Sequence, residues 1–310
     1  MHKQWHFVLI MALVAATPTS AWGQNAAPAI GLANSGTQSA PSIPDFSGIW
    51  GHLFGPGFEP PLSGPGPVTN RSRRNGVSDV YQLVGDYTNP ILKPQAAEVL
   101  KKHGEIELSG ANSPTPSNQC WPGGVPYVFW NNGMQMLQQP DKIAILYSND
   151  HEVRHVRMNQ VHPPRVTPSW YGDSVGHYEG DTLVIDTVGV KIGPFSMVDM
   201  YGTPYTERMH VVERYRLIDY EAAKEAEERA EREKLRFEVA ESGLARDPDY
   251  KGKGLQLQFT VEDEGVFTMP WSATVTYRRP LGEWPEMVCA HNKDPQLYNT
   301  AIPTADKLDF

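Results

Sequence analysis

The first residues to suggest a chemistry are the five letters HEVRH, which start at His151 and end at His155. They match the H-E-x-x-H motif, in which two histidines on one helical turn bind zinc and the glutamate acts as a general base. Here the flanking runs KIAILY and VRMNQV are typical of two β-strands joined by a turn near Asn149 and Asp150. Residues four apart on a strand lie about 13 Å apart, too far to ligate one ion. We interpret the match as a coincidence and predict no metal site from it, although histidines on different strands could still converge on a metal.

A second group of candidates surrounds the proline-rich loop PPRVTP. His162 and Trp170 flank this loop, whose three prolines can hold both side chains in place at the mouth of a barrel. Farther along the chain, His177 and Glu179 share one face of a predicted strand, about 7 Å apart, and Asp186 lies on the returning strand. If these side chains point into a barrel, they form a set of histidine and carboxylate groups that can transfer protons near neutral pH.

These positions define two sets of candidate site residues. The catalytic candidates are groups that can exchange a proton: His162, His177, Asp186 and Glu207. The ligand-binding candidates are aromatic or polar: Trp170, Tyr178, Glu179 and Tyr205. We expect His52 and His210 to be surface or satisfied core residues. Glu213 and Arg214 are adjacent on a predicted strand and point to opposite faces, so we expect each to form an ion pair with a neighbouring strand.

The elements that must position these groups are mainly β-strands. Six runs after residue 141 are rich in Val, Ile, Tyr and Thr and are bounded by turn residues: KIAILYS, EVRHVRMNQ, SVGHYEGDTLVIDTVG, RMHVVERYRL, LQLQFTVEDEGVF and WSATVTYRR. In the fifth run, apolar residues at 255, 257, 259 and 261 alternate with polar ones. Glu179-Gly180-Asp181 is typical of a hairpin turn. We predict an antiparallel β-barrel or a strongly curved sheet, since closure removes exposed strand edges.

Helices are expected at two places. Residues 94–103, PQAAEVLKKH, form the one helical pattern among long Pro- and Gly-rich loops that occupy about residues 44–118. Residues 219–241 are rich in Ala and charge, with Lys224 and Glu228 at the four-residue spacing of a helix. We predict a charged helix with little apolar face, inserted between two strands. It could be a solvated excursion, or it could be an arm that binds a partner or another copy.

The N-terminal region predicts export. Residues 1–23 combine an early Lys3, an apolar run from Phe7 to Ala16 and small residues near Ala21, as in a signal peptide, and the run is too short to span a bilayer. Residues 24–43 have the composition of a disordered linker, and 44–310 form one predicted domain. We therefore expect a periplasmic or secreted protein. Its net charge of -9 gives no support for binding nucleic acid or inserting into a membrane.

The chain contains two cysteines, Cys120 and Cys289. Because an exported protein meets an oxidising compartment, we expect a disulfide between them, although two buried thiols are the alternative. Neither cysteine belongs to a C-x-x-C pair, which argues against a zinc site.

Several stretches resemble a family of exported bacterial proteins that is largely uncharacterised. They are PDFSGIW, QCWPGGVP, GDSVGHYEGDTLVIDTVG, ERMHVVERYR, MPWSATVTYR and CAHN. The resemblance covers most of the chain from Pro44 to Asn292, apart from the charged helix, and it implies a lipocalin-like β-barrel without implying an activity. The family has Asp-Gly-Arg where this chain has Met158-Asn159-Gln160, and Trp where it has Tyr178. Chemistry that requires that Asp or Arg is therefore not implied for this chain.

Two functions remain open from the sequence. The first is an exported barrel that binds a small amphipathic or aromatic molecule in its interior. The second is an acid/base enzyme without a cofactor, a lyase, isomerase or hydrolase, that uses His162 with Asp186 or Glu207. No nucleophile elbow, phosphate-binding glycine loop or dinucleotide fingerprint is present in the sequence. We expect a small-molecule partner under either function, and a homo-oligomer is compatible with both.

Overall fold

The computed structural model describes residues 43–75, 78–79, 81–131, 133–148, 150, 153–235 and 247–282. The predicted signal peptide at 1–23 and the predicted linker up to residue 42 lie outside the described residues, as do 236–241 of the predicted helix. No helix in the described ranges is both long and apolar enough to cross a membrane.

The described chain is built on one nine-stranded sheet whose spatial order follows the sequence. Its strands are β1 (Gly48–Gly51), β2 (Gly133–Gln138), β3 (Lys142–Tyr147), β4 (Val153–Met158), β5 (Asp173–Glu179), β6 (Thr182–Val188), β7 (His210–Ile218), β8 (Gly254–Glu262) and β9 (Trp271–Tyr277). The helices are α1 (Pro94–Leu108) and α2 (Tyr220–Arg232), with short 3-10 helices at Arg71–Asn75 and Tyr127–Trp130. The prediction of a mainly β fold is confirmed.

The sheet curls until its first and last strands meet. The backbone N–H of Gly51 donates to the carbonyl of Arg278 over 2.8 Å, and the N–H of Arg278 donates back over 2.7 Å. Just beyond, the Arg279 guanidinium donates to the carbonyls of Ser47 and Ile49 and lies 3.6 Å from the centre of the Trp50 ring. The result is a nearly closed barrel, in which few backbone groups remain on a free edge.

The sheet is mostly antiparallel, as predicted, but one pair of neighbouring strands is parallel. β4 and β5 pair in parallel, with Val156 opposite Ser174 and Met158 opposite Gly176. Parallel neighbours cannot be joined by a tight hairpin, so the chain must cross over between them. Residues 159–172, which we call the crossover, make this connection and contain the proline-rich loop. The predicted turn between β5 and β6 is confirmed, with Gly180 at a φ of +63° that glycine adopts without strain.

Buried and less buried side chains alternate along β8, as the sequence predicts. On β8 the side chains of Leu255, Leu257, Phe259 and Val261 have no solvent exposure. The ring of Phe259 forms edge-to-face contacts with Phe58, Phe129 and Trp271, at centroid distances of 4.9, 5.0 and 5.9 Å. Such contacts add to the free energy gained by burying apolar surface. In this region the barrel interior is a packed core.

Helix α2 corrects two details of the prediction. The predicted helix runs over 219–241, but α2 ends at Arg232, and residues 233–235 are not helical. It also has an apolar face, since Ala223, Ala226 and Ala230 are buried, and the helix packs on β8 and β9. A β-carbon on Gly254 would lie 2.6 Å from that of Ala223, so this close approach requires glycine. The face of α2 that packs on the sheet is therefore made of small side chains.

Candidate acid/base site on the outer wall of the barrel

The crossover carries His162 to the outside of the barrel. At its start, the N–H of Asn159 donates to the carbonyl of Gly176. Near its end, the N–H of Ser169 donates to the carbonyl of Gly189, and the carbonyl of Ser169 accepts from the N–H of Lys191. These bonds tie both ends of the crossover to the sheet, so that it lies along the outer wall. The sequence predicts His162 at the barrel mouth, next to a carboxylate in the barrel, whereas the structure has it on the outer wall.

His162 lies between two carboxylates. Its Nδ1 is 2.6 Å from Oδ2 of Asp173, and its Nε2 is 3.0 Å from Oδ1 of Asp186. On the next strand, Nε2 of His210 is 2.9 Å from the same Asp186 oxygen, and its Nδ1 is 3.7 Å from a Glu262 carboxylate oxygen. We call Asp173, His162, Asp186 and His210 the outer-wall cluster. It alternates carboxylate and imidazole groups across three strands and the crossover.

The geometry of the cluster constrains its protons. A neutral imidazole has a single N–H, so His162 can donate to both carboxylates only when its ring is protonated. The two histidines share one oxygen of Asp186, whose lone pairs can accept a hydrogen bond from each ring. The charge of this carboxylate therefore acts on both rings.

The electrostatics of the cluster agree with this arrangement. The hydrogen bond from His210 lowers the pKa of Asp186 against the opposing effect of burial. Conversely, the hydrogen bond to Asp186 raises the pKa of His210, again against burial. The side chains of His162, Asp186 and His210 are 23%, 37% and 32% exposed, so solvent and small molecules can reach them. An ionised carboxylate next to histidines in a partly exposed position is suited to general acid/base chemistry.

Asp173 has an orienting partner of its own. One nitrogen of the Arg157 guanidinium, Nη2, donates to both of its oxygens, over 2.9 and 2.7 Å. This arginine helps to position the carboxylate, and Asp173 in turn holds the ring of His162 through Nδ1. The Nε2 atom of His162 is thereby aimed at Asp186.

The other catalytic candidates lie apart from this cluster. His177 is exposed on the outer face of β5, 3.1 Å from a Glu179 carboxylate oxygen, and Arg214 also bonds to Glu179. The structure thus pairs Arg214 with a strand two places away in the sheet. Glu207 is exposed in the turn that precedes β7, and in the described structure no hydrogen bond joins it to His162.

The ligand-binding candidates do not converge on one pocket. Tyr205 is buried, and its hydroxyl donates to the carbonyl of Lys191 over 2.8 Å. The hydroxyl of Tyr178 accepts a hydrogen bond from the Gln138 amide over 2.8 Å. Trp170 lies on the surface near the end of the crossover, where it packs against Trp121. Glu179, as described above, belongs to the exposed His177 pair.

The barrel interior holds a different ionic group. Arg154 donates to both Glu213 oxygens, over 2.9 and 2.5 Å, and the two side chains are 1% and 0% exposed. We call them the interior ion pair. Burial opposes the charge on Arg154, but the Glu213 carboxylate outweighs it and holds the arginine pKa well above its usual range. Four hydroxyl groups complete the hydrogen bonding of the pair: Tyr147, Ser174, Thr187 and Tyr215.

The HEVRH string lies partly on strand β4. His151 and Glu152 lie outside the described residues, whereas Arg154 and His155 are on strand β4 and point to opposite faces. Within the described ranges, no group of three or more His, Cys, Asp or Glu side chains has a geometry that could hold a metal ion.

The predicted disulfide involves a residue that is not described. Cys120 is exposed in the turn before the second 3-10 helix, and Cys289 lies outside the described residues. The pairing stays a prediction.

Three comparisons with known proteins gave no match: no family model, no curated protein and no solved structure is significantly similar to this chain. The family resemblance stays a prediction as well. The function must therefore be argued from the residues themselves.

Proposed function

We propose that the protein is an acid/base enzyme that transfers protons on a small molecule at the outer-wall cluster. The observation that supports this most directly is the sharing of one Asp186 oxygen by His162 and His210, with His162 held from its other side by Asp173. The proposal keeps the reaction classes open to the sequence, a lyase, isomerase or hydrolase. It moves the site from the barrel interior to the outer wall.

The roles of the residues follow from their partners. Asp173 orients His162 through Nδ1, as the carboxylate of a catalytic triad orients its histidine. Nε2 of His162 is then the nitrogen that exchanges a proton with the substrate, once the substrate displaces its bond to Asp186. His210 can hold Asp186 ionised and receive a proton in turn, since its own pKa is raised. No step requires a cofactor.

Interior binding of a small molecule stays a prediction with less support. Such a site needs space between the inward side chains, but Phe259 and its neighbours pack against one another and the interior ion pair is saturated by hydrogen bonds. We also propose that the protein is exported to the periplasm or secreted. This proposal is supported by the signal-peptide pattern of residues 1–23.

One experiment both searches for a substrate and tests the role of His162. The purified protein is incubated in D₂O with a mixture of small metabolites, and mass spectrometry follows both conversion and deuterium uptake. Deuterium uptake detects reversible proton abstraction even where the equilibrium favours the starting compound. We expect a compound to react with the native protein and to react about a hundredfold more slowly with His162→Gln.

The matched control is His177→Gln, which removes an exposed histidine from the same outer face. It should retain full turnover, because His177 contacts Glu179 and not the cluster. If instead a compound binds without conversion, and His162→Gln binds it equally well, the protein is a binding protein and the proposed activity is wrong.

A further inference from the structure

The last residues of the crossover build a feature that the outer-wall cluster does not use. The Trp170 indole packs edge to face against Trp121 at a centroid distance of 5.3 Å, and Trp121 packs in the same way against Phe195 at 5.9 Å. Trp121 is 40% exposed, and the nearby Ile192 is 45% exposed. Three aromatic rings with exposed apolar surface at one place are typical of a binding surface.

A cation lies beside these rings. The ammonium of Lys191 is 4.8 Å from the centre of the Trp170 ring. Lys191 is exposed, and among the described residues no carboxylate forms an ion pair with it. Its ammonium therefore has donors available for an anionic group that approaches from solvent. We call Trp121, Trp170, Phe195 and Lys191 the aromatic patch.

The backbone holds the patch in this arrangement. The N–H of Lys191 donates to the carbonyl of Ser169 over 2.8 Å, which fixes the lysine next to Trp170. The N–H of Gly193 donates to the Ser196 hydroxyl over 2.7 Å, and a β-carbon at Gly193 would lie 2.8 Å from the Trp170 ring. Glycine is needed there because the indole occupies the space of a side chain. The rings are thus positioned before any ligand arrives, which lowers the entropic cost of binding.

We propose that the aromatic patch binds an aromatic carboxylate. The ligand's ring stacks on the exposed surface of Trp121, and its carboxylate pairs with the Lys191 ammonium. The charge decides the class of ligand, since a cationic aromatic compound would meet the lysine with repulsion. This inference does not rest on the proposed function, because none of the patch residues belongs to the outer-wall cluster.

The test compares two probes with the same ring and opposite charges, indole-3-acetate and tryptamine. Binding is followed by the chemical shifts of the tryptophan indole N–H signals during titration. We expect indole-3-acetate to bind about tenfold more tightly than tryptamine and to shift the Trp121 and Trp170 signals. Lys191→Glu should reverse this preference, and Trp121→Ala should weaken indole-3-acetate about tenfold.

Two control variants make the result specific. Lys142→Glu makes the same charge change at an exposed lysine on β3 and should leave the preference unchanged. His162→Gln should bind indole-3-acetate as the native protein does, so failure of the proposed activity and failure of this inference are separate results. Equal affinity for the two probes, or affinity that survives both Lys191→Glu and Trp121→Ala, would overturn the proposal.

Discussion

The interior ion pair and the outer-wall cluster contain similar charged groups but differ in burial and in hydrogen bonding. Arg154 and Glu213 are at most 1% exposed and are surrounded by hydroxyl groups that satisfy their remaining hydrogen bonds. Asp186 is 37% exposed and shares one oxygen between two histidines. A saturated and buried pair can only serve the fold, whereas a shared and accessible carboxylate can change its protonation state. Burial and saturation thus separate structural from chemical groups in this barrel more clearly than residue type does.

The largest expected effect comes from breaking the interior ion pair. Arg154→Met leaves Glu213 as an uncompensated charge in the core, and we expect the free energy of unfolding to fall by about 3 to 5 kcal/mol. Urea denaturation measures this loss. Arg214→Met is the matched control, because it breaks an exposed pair with Glu179 that is screened by solvent and should cost far less. Equal losses in the two variants would contradict the distinction between buried and exposed pairs.

Removing both Arg154 and Glu213 tests whether the instability comes from the unpaired charge. In the double variant Arg154→Met with Glu213→Leu no charge is left unpaired, so we expect it to regain most of the stability that Arg154→Met loses. Denaturation of the two single variants and the double variant gives the coupling free energy. A double variant that is less stable than either single variant would indicate that the four hydroxyl groups require the ions.

Asp199 is an intermediate case, since it is buried and forms no ion pair with a cation in the part of the chain that the structure describes. Burial raises its pKa to about 6, although the Thr203 hydroxyl and backbone N–H groups oppose the shift. The folded protein therefore binds a proton more tightly than the unfolded chain does, and this group stabilises the fold below pH 4 and loses that contribution as the pH rises to about 6. We expect Asp199→Asn to gain up to about 3 kcal/mol relative to the native protein between pH 4 and pH 7. Denaturation at both pH values checks this, and a constant difference between the proteins would be the contrary result.

The sequence predicts the interior of this fold better than the site. Alternation at 255–261 shows which face of β8 is buried, because its polar and apolar residues separate cleanly. On β6 the neighbours Val184 and Ile185 are both apolar and both buried, so alternation cannot show which way Asp186 points. The parallel pairing of β4 and β5, which carries His162 outside, leaves no local signal in the chain. That is why the prediction includes Asp186 and His162 but expects Asp186 inside the barrel and His162 at its mouth.

The prediction also missed two members of the cluster. The sequence predicts a surface or satisfied core position for His210 and indicates no role for Asp173. Both join the site through strand register: Asp186 faces Val212 on β7, which places His210 diagonally across from it. Register depends on tertiary packing, and a single sequence does not contain it. The pairing of Glu213 and Arg214 with other strands was predicted, but each partner lies beyond the adjacent strand.

The smallest expected effect on stability concerns Asp186 itself. Because the pKa of His210 is raised in the fold, its bond to Asp186 stabilises the protein below the usual histidine range and loses that contribution as the pH rises through the raised pKa. Asp186→Asn should remove this pH dependence while lowering stability by less than about 1 kcal/mol, because the site is partly exposed. Thermal unfolding at pH 5 and pH 8 measures the difference. A loss as large as that of Arg154→Met would place Asp186 among the groups that serve the fold.

The sharing of Asp186 can be tested directly by nitrogen-15 NMR of the histidine side chains across a pH titration. In the native protein we expect the His210 pKa to lie above its usual value, because the ring of His210 is hydrogen-bonded to Asp186. In Asp186→Asn the His210 pKa should fall toward its usual value, while the signals of His177 serve as an internal control. If His210 titrates identically in both proteins, the two histidines do not share a carboxylate and the outer-wall cluster is not a proton-transfer site.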